Sequence, residues 1–368
     1  MKKKKILFIT PLPPPDYGSA LSSQMCLSIL ENSKDVEVKS IKINYSENMK
    51  DIGKFNLSKL SGFFKVLKAI KKEITSFKPD FVYLVPATSG LGLMRDSLFV
   101  KKIKKLHLGK IVLHVRSRIT EKNKKKHFNI YKKMFEKTRV IVLGESLIED
   151  VASFVKKENL EVLPNAIKNE VSEKEFNQTI KERNKSNSFN LLFLSNMNKE
   201  KGWFKVLESC VILKSKSIPF NCFFVGEWAT KKDKELFENF VKEHNLQEHI
   251  TYLGKKIGKE KNKILAQSDI LLFPTDYKLE TFGRVIVEAM MFGMPVIANS
   301  IASIPSIIEN KKTGFLLKEN SPKEIASNIE ILQRNKSLRL KMGVEGRKRF
   351  IKNYELTGYK TKFLKLFK

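Results

Sequence analysis

Residues 269–297 read DILLFPTDYKLETFGRVIVEAMMFGMPVI, and this stretch decides the fold. The apolar run Ile270–Phe273 has the length of a buried strand and stops at Pro274. A polar loop follows to Leu279. Val285, Ile286, Ala289 and Met290 then recur at helical spacing, so an amphipathic helix is expected with Thr281 as its N-cap. Glu280 stands at the mouth of that helix. Glu288 lies eight residues further, about two turns at 3.6 residues per turn, on the helix body. Two carboxyls so placed cannot act as an acid and nucleophile across one bond. Gly293 and Pro295 end the helix, and Pro295–Ala298 opens the next strand.

The same rhythm runs outward in both directions. Strand-length apolar runs in the first half are Ile6–Ile9, Val36–Ile43, Phe81–Val85, Lys110–Val115, Val140–Leu143 and Glu161–Leu163. In the second half they are Phe189–Leu194, Phe220–Val225, Ile250–Leu253, Ile270–Phe273, Pro295–Ala298 and Gly314–Leu317. Longer amphipathic stretches separate them, which is the pattern of parallel sheets covered by helices on both faces. Two doubly wound α/β domains are expected: residues 1–168 and 189–351, joined by an exposed polar linker at 169–188. The segment 352–368 carries Tyr354, Tyr359, Phe363, Leu364 and Phe367 on a helical pattern and is expected to cross back to cover the first domain.

The chain has 368 residues, 42% of them hydrophobic, too many for one ordinary core. Lys and Arg number 70 against 39 Asp and Glu, a formal charge of +31 that favours anionic partners: membrane surface, nucleic acid or phosphorylated ligands. Cys26, Cys210 and Cys222 are few, odd in number and widely spaced, which suits a reducing cytosol rather than a disulfide framework. Met1–Lys5 has the charge of a signal n-region, but Pro11 cuts short the apolar run behind it. No run approaches the roughly 20 apolar residues of a spanning helix, so a cytoplasmic protein, peripheral on the inner membrane face at most, is expected. No cluster of His, Cys or Asp has metal-ligand spacing.

Ligands of open parallel sheets bind outside the carboxyl ends of the strands, where helix N-termini offer N–H groups. Two such domains facing each other leave a central cleft, and a phosphate-bearing ligand there is the first hypothesis.

Glu280 and Glu288, with seven residues between, resemble the paired-glutamate signature of family 4 retaining glycosyltransferases, whose fold is GT-B: two Rossmann-like domains facing a cleft. The resemblance implies that Glu280 contacts the donor sugar hydroxyls and Glu288 the ribose hydroxyls. It further implies that the turn Thr281, Phe282 and Gly283, with Arg284, meets the diphosphate. A carboxylate suits paired hydroxyls, and a helix N-terminus suits a diphosphate. Residues 191–202, LLFLSNMNKEKG, resemble the family's strand followed by Arg and Lys-Gly, with Lys201 as the phosphate-neutralising cation. Asn196 stands where the family has Arg, leaving Lys201 and Arg284 more of the charge. Residues 11–19, PLPPPDYGS, resemble a Pro-rich turn in which Gly18 lets backbone approach phosphate. His114 falls where the family has a histidine near the transferred sugar, and Gly226 is a further donor-side candidate. Residues 299–306, NSIASIPS, depart from the family's paired-glycine turn.

The resemblance implies transfer with retention of anomeric configuration from a nucleotide diphosphate sugar, UDP- or GDP-linked, to a glycan or lipid-linked acceptor in surface polysaccharide assembly. No permanent cofactor, metal or nucleic acid is implied. Three other readings stay open: a catalytically silent GT-B scaffold, a phosphorylase or epimerase using the same cleft, and a basic nucleic-acid binder, although no nucleic-acid-binding motif is present. Leu57–Phe77 is a basic amphipathic helix: Leu60, Phe63, Phe64, Leu67, Ile70, Ile74 and Phe77 alternate with Lys59, Lys65, Lys68, Lys71 and Lys72. It either covers the domain core or docks on anionic lipid.

Overall fold

The computed structural model describes residues 2–14, 18–43 and 57–368. Pro15–Tyr17 of the Pro-rich turn, and the side chains of Leu57 and Lys59, lie outside the described residues. The chain divides into two compact units, residues 1–165 with 359–368, and residues 166–358.

The first unit holds β1 (Lys4–Thr10), α1 (Gly18–Glu31), β2 (Val36–Lys42), α2 (Leu57–Phe77), β3 (Phe81–Leu84), α3 (Gly90–Leu106) and β4 (Lys110–Val115). It continues with α4 (Glu121–Lys126), α5 (Phe128–Phe135), β5 (Arg139–Val142), α6 (Ile148–Val151) and β6 (Leu160–Val162). Its sheet has the order β2-β1-β3-β4-β5-β6, and every pair is parallel. Ile6–Ile9, Val82–Leu84 and Val112–Leu113 are buried because helices lie on both sheet faces, so these strands are apolar throughout rather than alternating.

The second unit begins with α7 (Glu173–Lys185), β7 (Asn190–Leu194), α8 (Trp203–Ser215), β8 (Asn221–Val225), α9 (Lys231–Glu243), β9 (Ile250–Gly254) and α10 (Gly258–Gln267). Then come β10 (Ile270–Phe273), α11 (Arg284–Met291), β11 (Val296–Asn299), α12 (Ile304–Ile307), β12 (Gly314–Leu317), α13 (Pro322–Arg334), α14 (Lys336–Asn353) and α15 (Leu356–Lys365), whose last turns pass into the first unit. Its sheet runs β12-β11-β10-β7-β8-β9, again parallel throughout. The chain builds outward from β7 to β9, then returns to the other side of β7 with β10. The β7/β10 pair is therefore the topological switch point, the place where an open parallel sheet leaves a crevice. Asp269 ties these two strands together: its carboxylate accepts from Asn190 N–H at 2.8 Å, and its own N–H donates to Asn190 O at 2.7 Å.

Three expectations are corrected. The stretch 169–188 is no exposed linker: it carries α7, which belongs to the second unit and buries Phe176, Thr179 and Arg183. Arg183 donates to the carbonyls of Phe292, Gly293 and Leu265, so a polar residue does the anchoring and the apolar pattern is faint. Second, the helix after Glu280 starts at Arg284 with Gly283 as N-cap at φ 72°, not at Thr281. Third, the return to the first unit begins at Tyr359 rather than 352. There Phe363 and Phe367 pack against Tyr83 and Phe81, with ring centroids 5.7 and 5.5 Å apart.

Candidate functional site

Lys201 follows β7 and Glu280 follows β10, so neighbouring strands at the switch point deliver one cation and one carboxylate to the same place. Lys201 Nζ donates to Glu280 Oε2 at 2.8 Å. The other oxygen, Oε1, accepts from the N–H groups of Thr281 at 3.2 Å and Gly283 at 3.1 Å. Both side chains are largely shielded, with 16% and 11% of their surface exposed, so the pair is screened less than a surface ion pair. The Lys201 ammonium also lies 4.1 Å from the Tyr277 ring centroid. Burial, with Glu200 and Glu280 beside it, pushes the Tyr277 phenol above its ordinary range.

Backbone geometry fixes this meeting. Residues 199–201 form a short 3-10 turn that ends on Gly202 at φ 91°, a left-handed conformation suited to glycine. A side chain there would sit 2.3 Å from Pro274 O, so the turn and the Pro274 loop are in direct backbone contact. Asp276 N–H donates to Glu200 O at 2.8 Å, closing the same contact. The Asp276 carboxylate in turn pairs with Lys205 and accepts from the amides of Asn299 at 3.1 Å and Asn320 at 2.8 Å. Ser303 N–H donates to Thr281 O at 3.1 Å, so the divergent 299–306 turn braces the loop from the other side.

Glu288 lies on α11 and is 8% exposed. Its carboxylate faces Lys261 of α10 at 3.0 Å and Arg284, one turn back, at 3.7 Å. Phe282 is buried and meets the Tyr354 ring edge to face. A depression of about 610 Å³ opens near the starts of α7 and α10, lined in part by Lys168, Ser172, Gly258 and Asn262. It is not lined by Lys201 or Glu280, so it is distinct from their meeting place.

The structure thus brings together Lys201, Glu280, Thr281 and Gly283, and places Arg284 beside Glu288. Asn196 is exposed in the loop after β7, with its carbonyl turned to Asn198 N–H at 2.8 Å. Gly226 is explained by packing: a Cβ would stand 1.7 Å from Ser195 O, and its N–H donates to Gly254 O. Gly18 opens α1, where a Cβ would meet nothing within 4 Å, so no close approach within the described residues demands glycine.

His114 lies in the first unit, not in the second with the Lys201–Glu280 pair. It lies inside β4, is wholly buried, and its Nδ1 hydrogen-bonds the Tyr83 hydroxyl at 2.6 Å. Burial, and then the nearby Arg116 charge, hold its pKa well below the ordinary 6.5, which keeps the ring neutral. Sequence reasoning missed Asp276, Asn299, Asn320 and Lys261. Asp276 sits in the quoted loop between Pro274 and Glu280, a position that could have drawn notice, whereas Lys261 is one lysine among many.

Residues 173–349 match the model of the family described as glycosyl transferases group 1. An uncharacterized 41.2 kDa protein of the cps region of Klebsiella pneumoniae is 29% identical over 273 residues, 71% of each chain. The capsular polysaccharide biosynthesis glycosyltransferase CapM of Staphylococcus aureus is 26% identical, over 59% of this chain and 57% of its own. The crystal structure of Anabaena HepE in complex with UDP and glucose superposes with a TM-score of 0.71 over 99% of both chains, at 14% identity. The chain has the two-domain α/β GT-B fold, and the match of residues 173–349 to glycosyl transferases group 1, with these relatives, supports a glycosyltransferase.

Proposed function

We propose that the chain is a retaining glycosyltransferase of the family 4 type, moving a sugar from a nucleotide diphosphate donor to a glycan or lipid-linked acceptor in surface polysaccharide assembly. The observation that carries the reading is the convergence of Lys201 Nζ with the Thr281 and Gly283 N–H groups on one carboxylate. Those donors form an anion-binding arrangement next to a helix N-terminus, the setting a diphosphate needs. In the bound complex the diphosphate takes Lys201 and the Phe282–Gly283 turn, Arg284 adds charge, and Glu280 turns to the sugar hydroxyls. Glu288, already shielded and flanked by cations, accepts from the ribose hydroxyls. CapM, named for capsular polysaccharide biosynthesis, and the UDP in HepE support the pathway and donor class.

The acceptor oxygen forms a bond to the anomeric carbon on the face the leaving group vacates. The bond from that carbon to the phosphate oxygen breaks, and the acceptor proton passes to the departing phosphate. The products are a glycoside and a nucleoside diphosphate, with no protein nucleophile. Positioning and charge stabilisation in a dry site carry the rate. Because the neutralising charges are side chains, transfer is expected to survive chelation by EDTA.

Incubation with a panel of UDP-, GDP- and ADP-sugars and acceptor extracts tests the reading. Release of nucleoside diphosphate with a new glycosidic bond of the donor's anomeric configuration supports it. Donor binding without turnover under all conditions would favour the silent scaffold.

A further inference from the structure

We propose that Tyr277 is a positioning residue for donor binding: its ring face holds the Lys201 ammonium in place when the Glu280 carboxylate leaves it for the sugar. The inference rests on the donor reading above and adds to it a residue that reading does not use.

Lys201 has two neighbours that differ in kind. Its Nζ donates to Glu280 Oε2 at 2.8 Å, and it stands 4.1 Å from the centroid of the Tyr277 ring. Among the described residues, Glu280 is the one carboxylate paired with this ammonium. Under the donor reading Glu280 turns to the sugar hydroxyls, so the lysine is left with the ring and the incoming diphosphate. A lysine is a compact charge on a flexible four-carbon stem, and without a second contact its head would spread over several rotamers. A ring face attracts an ammonium through its quadrupole, more strongly where water is kept out, as at Lys201 with 16% of its side chain exposed. The ring is not an anion. It therefore holds the cation and leaves the whole positive charge for the phosphate, which a second carboxylate would not do.

Tyr277 is itself fixed from both sides. Its N–H donates to Thr275 Oγ1 at 3.2 Å, and its carbonyl accepts from Glu280 N–H at 2.8 Å. Thr275 is buried, and the intervening Asp276 is clamped by Lys205, Asn299 and Asn320. The ring thus stands on a braced loop and keeps its place whichever partner the Glu280 side chain takes. Burial first, then the charges of Glu200 and Glu280, raise the Tyr277 phenol, so its hydroxyl is neutral at physiological pH. The attraction then belongs to the ring face rather than to a phenolate, and a phenyl ring should serve as well.

The test is calorimetric titration of the protein with UDP, GDP and ADP, comparing wild type, Tyr277→Phe, Tyr277→Leu, Lys201→Met and the double variant of Lys201→Met with Tyr277→Leu. For the nucleotide that wild type binds most tightly, Tyr277→Leu is expected to lower affinity about fivefold, and Tyr277→Phe less than about twofold. On the Lys201→Met background, Tyr277→Leu is expected to change affinity less than about twofold, because the ring then has no cation to hold. Thermal melting of each variant reports any loss of folding separately. A loop merely disturbed by Tyr277→Leu would weaken both backgrounds alike, so equal losses overturn the inference. So does wild-type affinity in Tyr277→Leu where Lys201→Met is weakened. A Tyr277→Phe loss as large as that of Tyr277→Leu overturns it as well, by assigning the work to the hydroxyl. Absence of binding by wild type for all three nucleotides, or a Lys201→Met equal to wild type, is a different failure: it removes the donor reading itself, and the inference with it.

Discussion

Lys201 and Glu280, 79 residues apart in sequence, meet with Nζ and Oε2 at 2.8 Å because their loops leave adjacent strands at the switch point of the second sheet. The carboxylate lies between a lysine and the N–H groups of a helix mouth, donors that under the proposed function pass to the donor's phosphate. That relationship orders the predictions.

Glu280→Gln keeps shape and removes charge, so Lys201 and the Gly283 N–H keep a partner of lower acceptor strength. Transfer is expected to fall by about 10²- to 10³-fold, and Glu280→Ala to abolish it, with circular dichroism unchanged. Near-normal turnover of Glu280→Ala would reject the assigned role.

Glu288 is assigned to ground-state contact with the donor ribose. Glu288→Ala is therefore expected to raise donor KM about tenfold or more and to lower kcat far less than Glu280→Ala does. Steady-state kinetics on both variants checks this, and a loss confined to kcat would contradict it.

Gly202 of the second unit and Gly18 of the first should behave oppositely on substitution. Gly202→Ala meets Pro274 O at 2.3 Å in a left-handed turn and is expected to cost about 2–4 kcal/mol in denaturant unfolding, while displacing Lys201. Gly18→Ala meets open space and is expected to leave stability within about 0.5 kcal/mol of wild type.

Stability should depend on pH through His114. Its folded pKa lies below the ordinary 6.5, so between the two values the unfolded chain holds a proton that the folded chain does not. Stability is then complete above pH 6.5 and declines as pH falls below it, by up to about 1.4 kcal/mol per pH unit. His107, whose pKa is also lowered by burial, adds in the same sense. Urea unfolding at a series of pH values should show this slope in wild type and a shallower one in His114→Gln.

The fold was legible because burial on both faces makes each strand of a parallel sheet a short apolar run. Ile270–Phe273, Lys110–Val115 and Gly314–Leu317 have the same limits in sequence and structure, and the quoted loop after Phe273 leads to Glu280 as expected. Helix α7 was hidden because Arg183 and Thr179 occupy its buried side. Yet Ser172 and Glu175 form a capping box, a start signal that the composition of the stretch obscured. Gly283 displaced Thr281 as the cap because a left-handed residue at that point lets Glu280 fold back onto the Thr281 and Gly283 N–H groups. The Asp276 clamp was not legible, since its partners Lys205, Asn299 and Asn320 come from three separate segments. His114 lies inside the strand the sequence predicts, and the contact of its ring with Tyr83 is made by a residue 31 positions away, which nothing in the sequence around it announces.

The central claim is that the Lys201–Glu280 meeting place takes a nucleotide diphosphate sugar. Calorimetric titration of wild type and Lys201→Met with UDP-, GDP- and ADP-sugars tests it most directly. At least one of these sugars is expected to bind wild type, with affinity reduced about tenfold or more in Lys201→Met. Absence of binding by every nucleotide sugar, or equal affinity in the two proteins, would contradict the account.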